Sequence, residues 1–139
     1  MRRPPLVDTN VILRFLIATP ASVPPKSRGV FPFFGKLEHG ETSAEVPALV
    51  FLEAFFVLTS FYQVPAPEAA AKLGTIVMFR GVVLEDKPVL QQCFKLLETE
   101  NLDAVDAWIV AACRLRAMPE VYSYDADLRR QGLHLLTPA

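Results

Sequence analysis

Short apolar stretches with β character alternate along this chain with longer helical stretches, and that alternation restricts the fold more than any other feature. The β-like runs are Pro5–Asp8, Ala44–Pro47, Gly81–Glu85, Val121–Tyr124 and Leu133–Thr137. The helical stretches are Val11–Ala18, Phe31–Glu38, Leu49–Gln63, Ala66–Phe79, Lys87–Glu98 and Asp103–Met118. Such an order builds βαβ units, whose crossovers make the strands parallel and lay helices over the sheet. The β-like runs lack polar alternation, as strands covered on both faces do. The expectation is a three-layer α/β fold. Pro32 falls in the second helical stretch, where an interior proline would cost about 3 kcal/mol. It is therefore predicted in the first turn of a new helix, where no N–H is needed.

With 139 residues the chain has the length of one domain, expected to span 1–139. A hydrophobic share of 52% and a positive mean hydropathy of +0.30 exclude a disordered polymer. Fourteen Lys and Arg against fifteen Asp and Glu leave a net charge of −1. No overall basic field draws nucleic acid, so any such contact must be local. The densest loop signals are Thr19–Pro25 and Gly35–Ser43. Cys93 and Cys113 fit neither a disulfide framework nor a zinc spacing, and read as thiols of a reduced compartment. The amino-terminal Met1-Arg2-Arg3-Pro4-Pro5-Leu6-Val7 is too short in apolar residues for a signal peptide. No run reaches the ~18 apolar residues of a membrane span. Leu49–Leu58 comes nearest and is broken by Glu53. A soluble, cytoplasmic protein is expected, with no membrane partner.

The carboxylates stand in informative places. Asp8 directly follows the first β-like run, in Leu6-Val7-Asp8-Thr9-Asn10. It can cap the next helix, or serve chemistry, since ligands of open α/β sheets gather beyond the carboxyl ends of strands. Glu53 shares its helix face with Leu49, Phe56 and Val57, so a solvated polar stripe explains it poorly. A buried carboxylate needs a cation, a hydrogen-bonding network or an opening to water. Asp103 and Asp106 open the Leu102–Ala112 segment three residues apart, near one another on the surface. Asp103 suits the N-cap, and Asp106 is then the one left for chemistry. Asp125 and Asp127 follow the fourth β-like run, and one of them can cap the short helix beyond. His39 and His134 lie in unrelated contexts. An all-oxygen cluster of this kind suits Mg²⁺ or Mn²⁺ and phosphoryl chemistry.

At these residues the chain resembles the PIN-domain ribonucleases, most closely the VapC-type toxins of toxin–antitoxin pairs. The resemblance lies in Val7-Asp8-Thr9-Asn10-Val11-Ile12-Leu13-Arg14-Phe15-Leu16, Glu53 within Leu49–Leu58, Asp106-Ala107 within Leu102–Ala112, and Ser123-Tyr124-Asp125-Ala126-Asp127-Leu128. It implies a five-stranded parallel sheet of order 3-2-1-4-5 and a metal-dependent endoribonuclease. It also implies an acidic quartet at Asp8, Glu53, Asp106 and Asp125, both catalytic and holding Mg²⁺ or Mn²⁺. Thr9 resembles the family's hydroxyl residue beside the first aspartate. Arg14 is expected to face RNA phosphate or to stand as a solvated helix residue, and Trp108 to serve core or interface. The implied partners are RNA, a cognate antitoxin, and further copies in a homodimer or larger assembly. Leu128 stands where the family often has Phe, a change of packing. Two rivals belong to other classes: a haloacid-dehalogenase-type phosphatase with Asp8 as nucleophile, and a non-catalytic metal-binding scaffold. Asn10, where the phosphatase would need a second aspartate, speaks against the first.

Overall fold

The computed structural model describes residues 3–139; Met1 and Arg2 of the charged amino-terminal stretch lie outside them. α1 (Thr9–Ile17) is followed by a single 3₁₀ turn (Pro25–Ser27) and by α2 (Val30–His39). Pro32 is the third residue of α2, inside its first turn, where the predicted placement puts it. β1 (Ala44–Glu45) leads through Pro47 into α3 (Ala48–Ser60), and α4 (Ala66–Val77) leads to β2 (Val82–Val83). α5 (Lys87–Thr99) and α6 (Ala104–Leu115) follow, then β3 (Glu120–Tyr122), α7 (Ala126–Arg130) and β4 (His134–Leu136). The loop signal expected from Gly35 begins inside α2, which runs on to His39 and ends on Gly40 in the left-handed conformation, φ 76°.

All pairing is parallel. Ala44 aligns with Val82 and Glu45 with Val83, while Glu120, Val121 and Tyr122 align with His134, Leu135 and Leu136. The first β-like run contributes a single parallel bridge, Leu6 with Glu45. There the Val7 N–H donates to the Glu45 carbonyl at 2.9 Å and the Glu45 N–H to the Pro5 carbonyl at 2.8 Å. In the expected order 3-2-1-4-5, the contacts 3-2, 2-1 and 4-5 are therefore present. The junction between runs 1 and 4 carries no ladder among the described residues. Instead of one five-stranded sheet, the described residues form two separate two-stranded sheets, the first lengthened by the Leu6 bridge.

Proline explains the short strands. Pro5 and Val7 face β1, and on the other edge Pro4 has no N–H to give and α1 already begins at Thr9, so run 1 offers few groups to a second neighbour. Pro47 stops β1 at Glu45, and Pro119 precedes β3. Helices supply most of the buried surface. α5 lies between α4 and α6, and the main core gathers Ile12, Phe34, Leu37, Phe51, Leu58 and Phe94, all essentially inaccessible. Phe15 stacks on Phe34 with centroids 4.3 Å apart, and Phe51 meets Phe94 edge-on at 6.2 Å. A second, smaller cluster joins α6 to α7 and the start of β4 through Val110, Leu128 and Leu133.

The two thiols differ sharply. Cys93 is fully buried in α5 against the Ala104 carbonyl, and burial pushes its pKa up to about 12. Cys113 is half-buried on α6. Since the thiolate is the reactive species, an alkylating reagent should label Cys113 in the native protein and reach Cys93 only after denaturation. Peptide mass mapping checks this, and equal labelling of both thiols would contradict the packing.

Candidate functional site

Three of the sequence-selected aspartates sit at helix N-termini or strand ends, and each is held by local backbone geometry. Val7 is buried and turns the chain so that Asp8 stands exposed in extended conformation. Asp8 Oδ1 accepts the Thr9 N–H at 2.6 Å, capping α1. Thr9 itself is buried within the first turn. Asp103 caps α6, its Oδ1 accepting the Asp106 N–H at 2.8 Å. Asp125 caps α7 by accepting the Asp127 N–H at 2.9 Å, and its own N–H donates to Ser123 Oγ at 3.0 Å. The cap after the fourth β-like run is thus Asp125, one of the proposed site residues.

The head of α6 and the end of β3 meet. Asp106 lies four residues before Val110 and Asp125 three before Leu128, and Val110 and Leu128 pack in the same cluster. That packing brings the two carboxyl groups near one another. Partial burial raises the Asp106 pKa first. The Asp103 charge, the hydrogen bond to Asp125 and the charges of Asp125 and Asp127 add to it, and the group stands at about 6. Arg130 Nη1 lies 2.9 Å from Asp127 and offsets part of this negative charge. A self-repelling set of carboxylate oxygens is the donor chemistry of a hard divalent cation, whose charge would relieve that repulsion. Asp106 and Asp125 fit such an ion in donor chemistry and supply two of its ligands.

The structure does not draw the whole quartet together. Among the described residues no group of three or more His, Cys, Asp or Glu side chains is placed to hold a metal ion. The structure places Asp106 beside Asp125, with Asp103 and Asp127 at their sides; Asp8 and Glu53 are not part of that cluster. Glu53 corrects the expectation from its face: it is exposed on α3, and Leu49 and Phe56 beside it are exposed too, 78% and 67%. Its apolar neighbours never formed a buried wall. Arg14 is exposed on α1, and its Nη1 donates to Ser27 Oγ at 3.1 Å. Trp108 is half-buried against the main core with the Arg116 guanidinium 5.5 Å from its ring centre. The sequence offers Asp125 or Asp127 as the cap of the short helix; Asp125 takes that role, and the charge of Asp127, two residues on, acts on Asp106.

Parallel strands separated by helices, with acidic side chains at the strand ends, define an α/β protein with a carboxylate site. The PIN-domain family model matches residues 6–132, and the chain belongs to that family. PIN domains are in general nucleases. No curated protein and no solved structure matches the chain. No helix among the described residues is long and apolar enough to cross a membrane.

Proposed function

We propose that the protein is a Mg²⁺- or Mn²⁺-dependent endoribonuclease, and that it is the cytoplasmic toxin of a toxin–antitoxin pair. The Asp106–Asp125 carboxyl pair within a PIN fold carries this reading. Asp106 and Asp125 would hold the cation, with Asp8 and Glu53 as the remaining acids of the site. The bound ion supplies a lowered pKa for a water molecule and charge neutralisation at the scissile phosphate. Asp125, fixed by its cap to α7 and by Ser123, keeps its carboxylate in place beside Asp106. Asp103 is committed to the α6 cap and orients the turn that presents Asp106. Thr9 stands beside Asp8 to offer a hydroxyl to phosphate. In-line attack by water leaves a 5′-phosphate and a 3′-hydroxyl, with no protein nucleophile. Leu49, Phe56 and Phe61 on and beside α3 are exposed and give a homodimer or larger assembly apolar area to cover.

Two measurements test this. RNA cleavage by the purified chain should require Mn²⁺ or Mg²⁺, stop with chelator and disappear in Asp8→Asn with the fold retained. Independently, an ion that binds only the native site stabilises by mass action, about 2.7 kcal/mol at a hundredfold excess over its dissociation constant. Mn²⁺ at constant ionic strength should therefore raise the melting temperature of wild type, less so in Asp125→Asn. A melting curve indifferent to Mn²⁺, together with intact RNA, would overturn the nuclease assignment. For the toxin role, expression without a cognate antitoxin should arrest growth, and an active chain that is harmless in several hosts would count against it.

A further inference from the structure

Charge is unevenly spread over the first quarter of the chain. Between Asp8 and Glu38 there is no acidic residue, while Arg14, Lys26, Arg28 and Lys36 all fall there. None of these four cations is ion-paired with a carboxylate; the ion pairs found among the described residues involve Arg3, Arg116 and Arg130. The fold places this basic segment along a groove. One cleft of about 350 Å³ between α1 and α2 is lined by Asn10, Arg14, Lys26, Ser27 and Phe33 among others. A second, of about 360 Å³, continues on the other side of Asn10 and Arg14 and reaches Tyr62. Neither cleft has a carboxylate in its lining. Arg14, at the ridge between them, is held by its hydrogen bond to Ser27 Oγ at 3.1 Å. Phe33 lines one cleft and the partly exposed Tyr62 the other, so an aromatic ring stands on each side. The groove starts at Asn10, two residues from Asp8.

Cations without acidic neighbours, a guanidinium held in position and aromatic faces at both sides form the combination that binds a single-stranded nucleic-acid backbone. An acidic peptide would match the charge but leave the paired aromatic faces and the continuity with Asp8 unexplained. We propose that the groove along α1 is the track for single-stranded RNA, with Arg14 and Lys26 on successive phosphates and Phe33 and Tyr62 beside the bases. This rests on the nuclease reading for its link to cleavage, but its binding test does not.

The test uses the full chain in excess chelator, so that no RNA is cut, and a fluorescently labelled oligouridine of about twelve nucleotides. The dissociation constant is measured over a range of salt concentrations. Each lost phosphate contact on a single strand should reduce the slope of log affinity against log salt by about 0.7. Arg14→Ala and Lys26→Glu are expected to flatten the slope by at least that amount and to weaken binding at low salt. Lys72→Ala, at an exposed position of α4, should leave both unchanged. Lys26→Glu breaks no hydrogen bond of the folded chain, so a shared melting temperature with wild type guards against misfolding as the cause. In the presence of Mn²⁺, the groove variants should raise KM for RNA with little change in kcat. Unchanged affinity and slope in both groove variants would overturn the proposal and leave the groove to an acidic peptide. Loss of binding in the variants of a chain that cuts no RNA would support the groove while removing the nuclease reading.

Discussion

Asp106→Asn is expected to lower RNA cleavage by about a hundredfold or more and, in the same variant, to raise the stability of the metal-free protein. The asparagine amide can donate to Asp125, so the contact between the α6 head and the end of β3 survives. What it removes is charge at the reacting centre, and losing one group that organises such charge costs on the order of a hundredfold to a thousandfold in rate. The stability effect follows from linkage. Asp106 stands at about 6 in the folded chain against 3.8 as its ordinary value. The folded state therefore binds this proton more tightly than the unfolded state. Its contribution is fully present below about 3.8 and is lost as pH rises through about 6. Above about pH 7 the wild-type site thus carries unrelieved repulsion that Asp106→Asn lacks. Wild type should lose stability between these values, and the variant should show a flatter profile there and melt higher near neutrality. Asp103→Asn is the counter-case, because asparagine is itself a good N-cap. It should keep most activity and most stability. A variant at Asp106 that cuts RNA at the wild-type rate would transfer the site to Asp103.

The two halves of that experiment separate what sequence reasoning reached from what it missed. The order of elements was legible: each expected helix is present within three residues of its bounds, because apolar spacing and prolines mark them directly. Asp103 as a cap and Asp106 as the free acid also follow from adjacent residues. Glu53 was misjudged for a physical reason. An apolar face implies burial only when another element covers it, and nothing in a single chain's spacing says that Leu49 and Phe56 stay open. The separation of the two sheets was equally invisible. Parallel pairing of distant runs depends on how many N–H groups each edge can offer, and on the edge of the first run away from β1 Pro4 offers none while α1 begins at Thr9. The partnership of Asp106 with Asp125 is set by Val110 and Leu128 packing in one cluster, a tertiary fact with only a faint trace in the sequence. The basic groove could have been suspected from the acid-free stretch between Asp8 and Glu38, whose average disappears in a net charge of −1.

The second large effect is expected far from any carboxylate. Gly81→Ala should destabilise the fold by about 3 kcal/mol, the upper end of what overpacking ordinarily costs. Gly81 begins the approach to β2 and fits against the end of α2. Its N–H donates to the Leu37 carbonyl at 2.7 Å, and its own carbonyl accepts the Ala44 N–H at 2.9 Å. A Cβ at this position would lie inside contact distance of the Thr42 carbonyl oxygen, with the Leu37 carbonyl oxygen at 3.0 Å and the Leu37 Cα at 3.1 Å. All three are backbone atoms, which cannot swing aside as a side chain can. Relief therefore requires moving β2 away from the α2–β1 loop. β2 in turn aligns β1, and β1 holds Leu6 and Val7, so the shift reaches the turn that presents Asp8. For a chain of this length the melting temperature should fall by roughly ten degrees, and cleavage should fall with it. Gly35 provides the comparison. It lies within α2 with nothing within 4 Å of an added Cβ. Gly35→Ala should raise stability by about 0.5–1 kcal/mol, because alanine loses less backbone entropy on entering a helix. Chemical denaturation of both variants decides the matter: a Gly81→Ala protein as stable as wild type would mean that α2 and β2 do not make the close approach that seats the first sheet and, through it, Asp8.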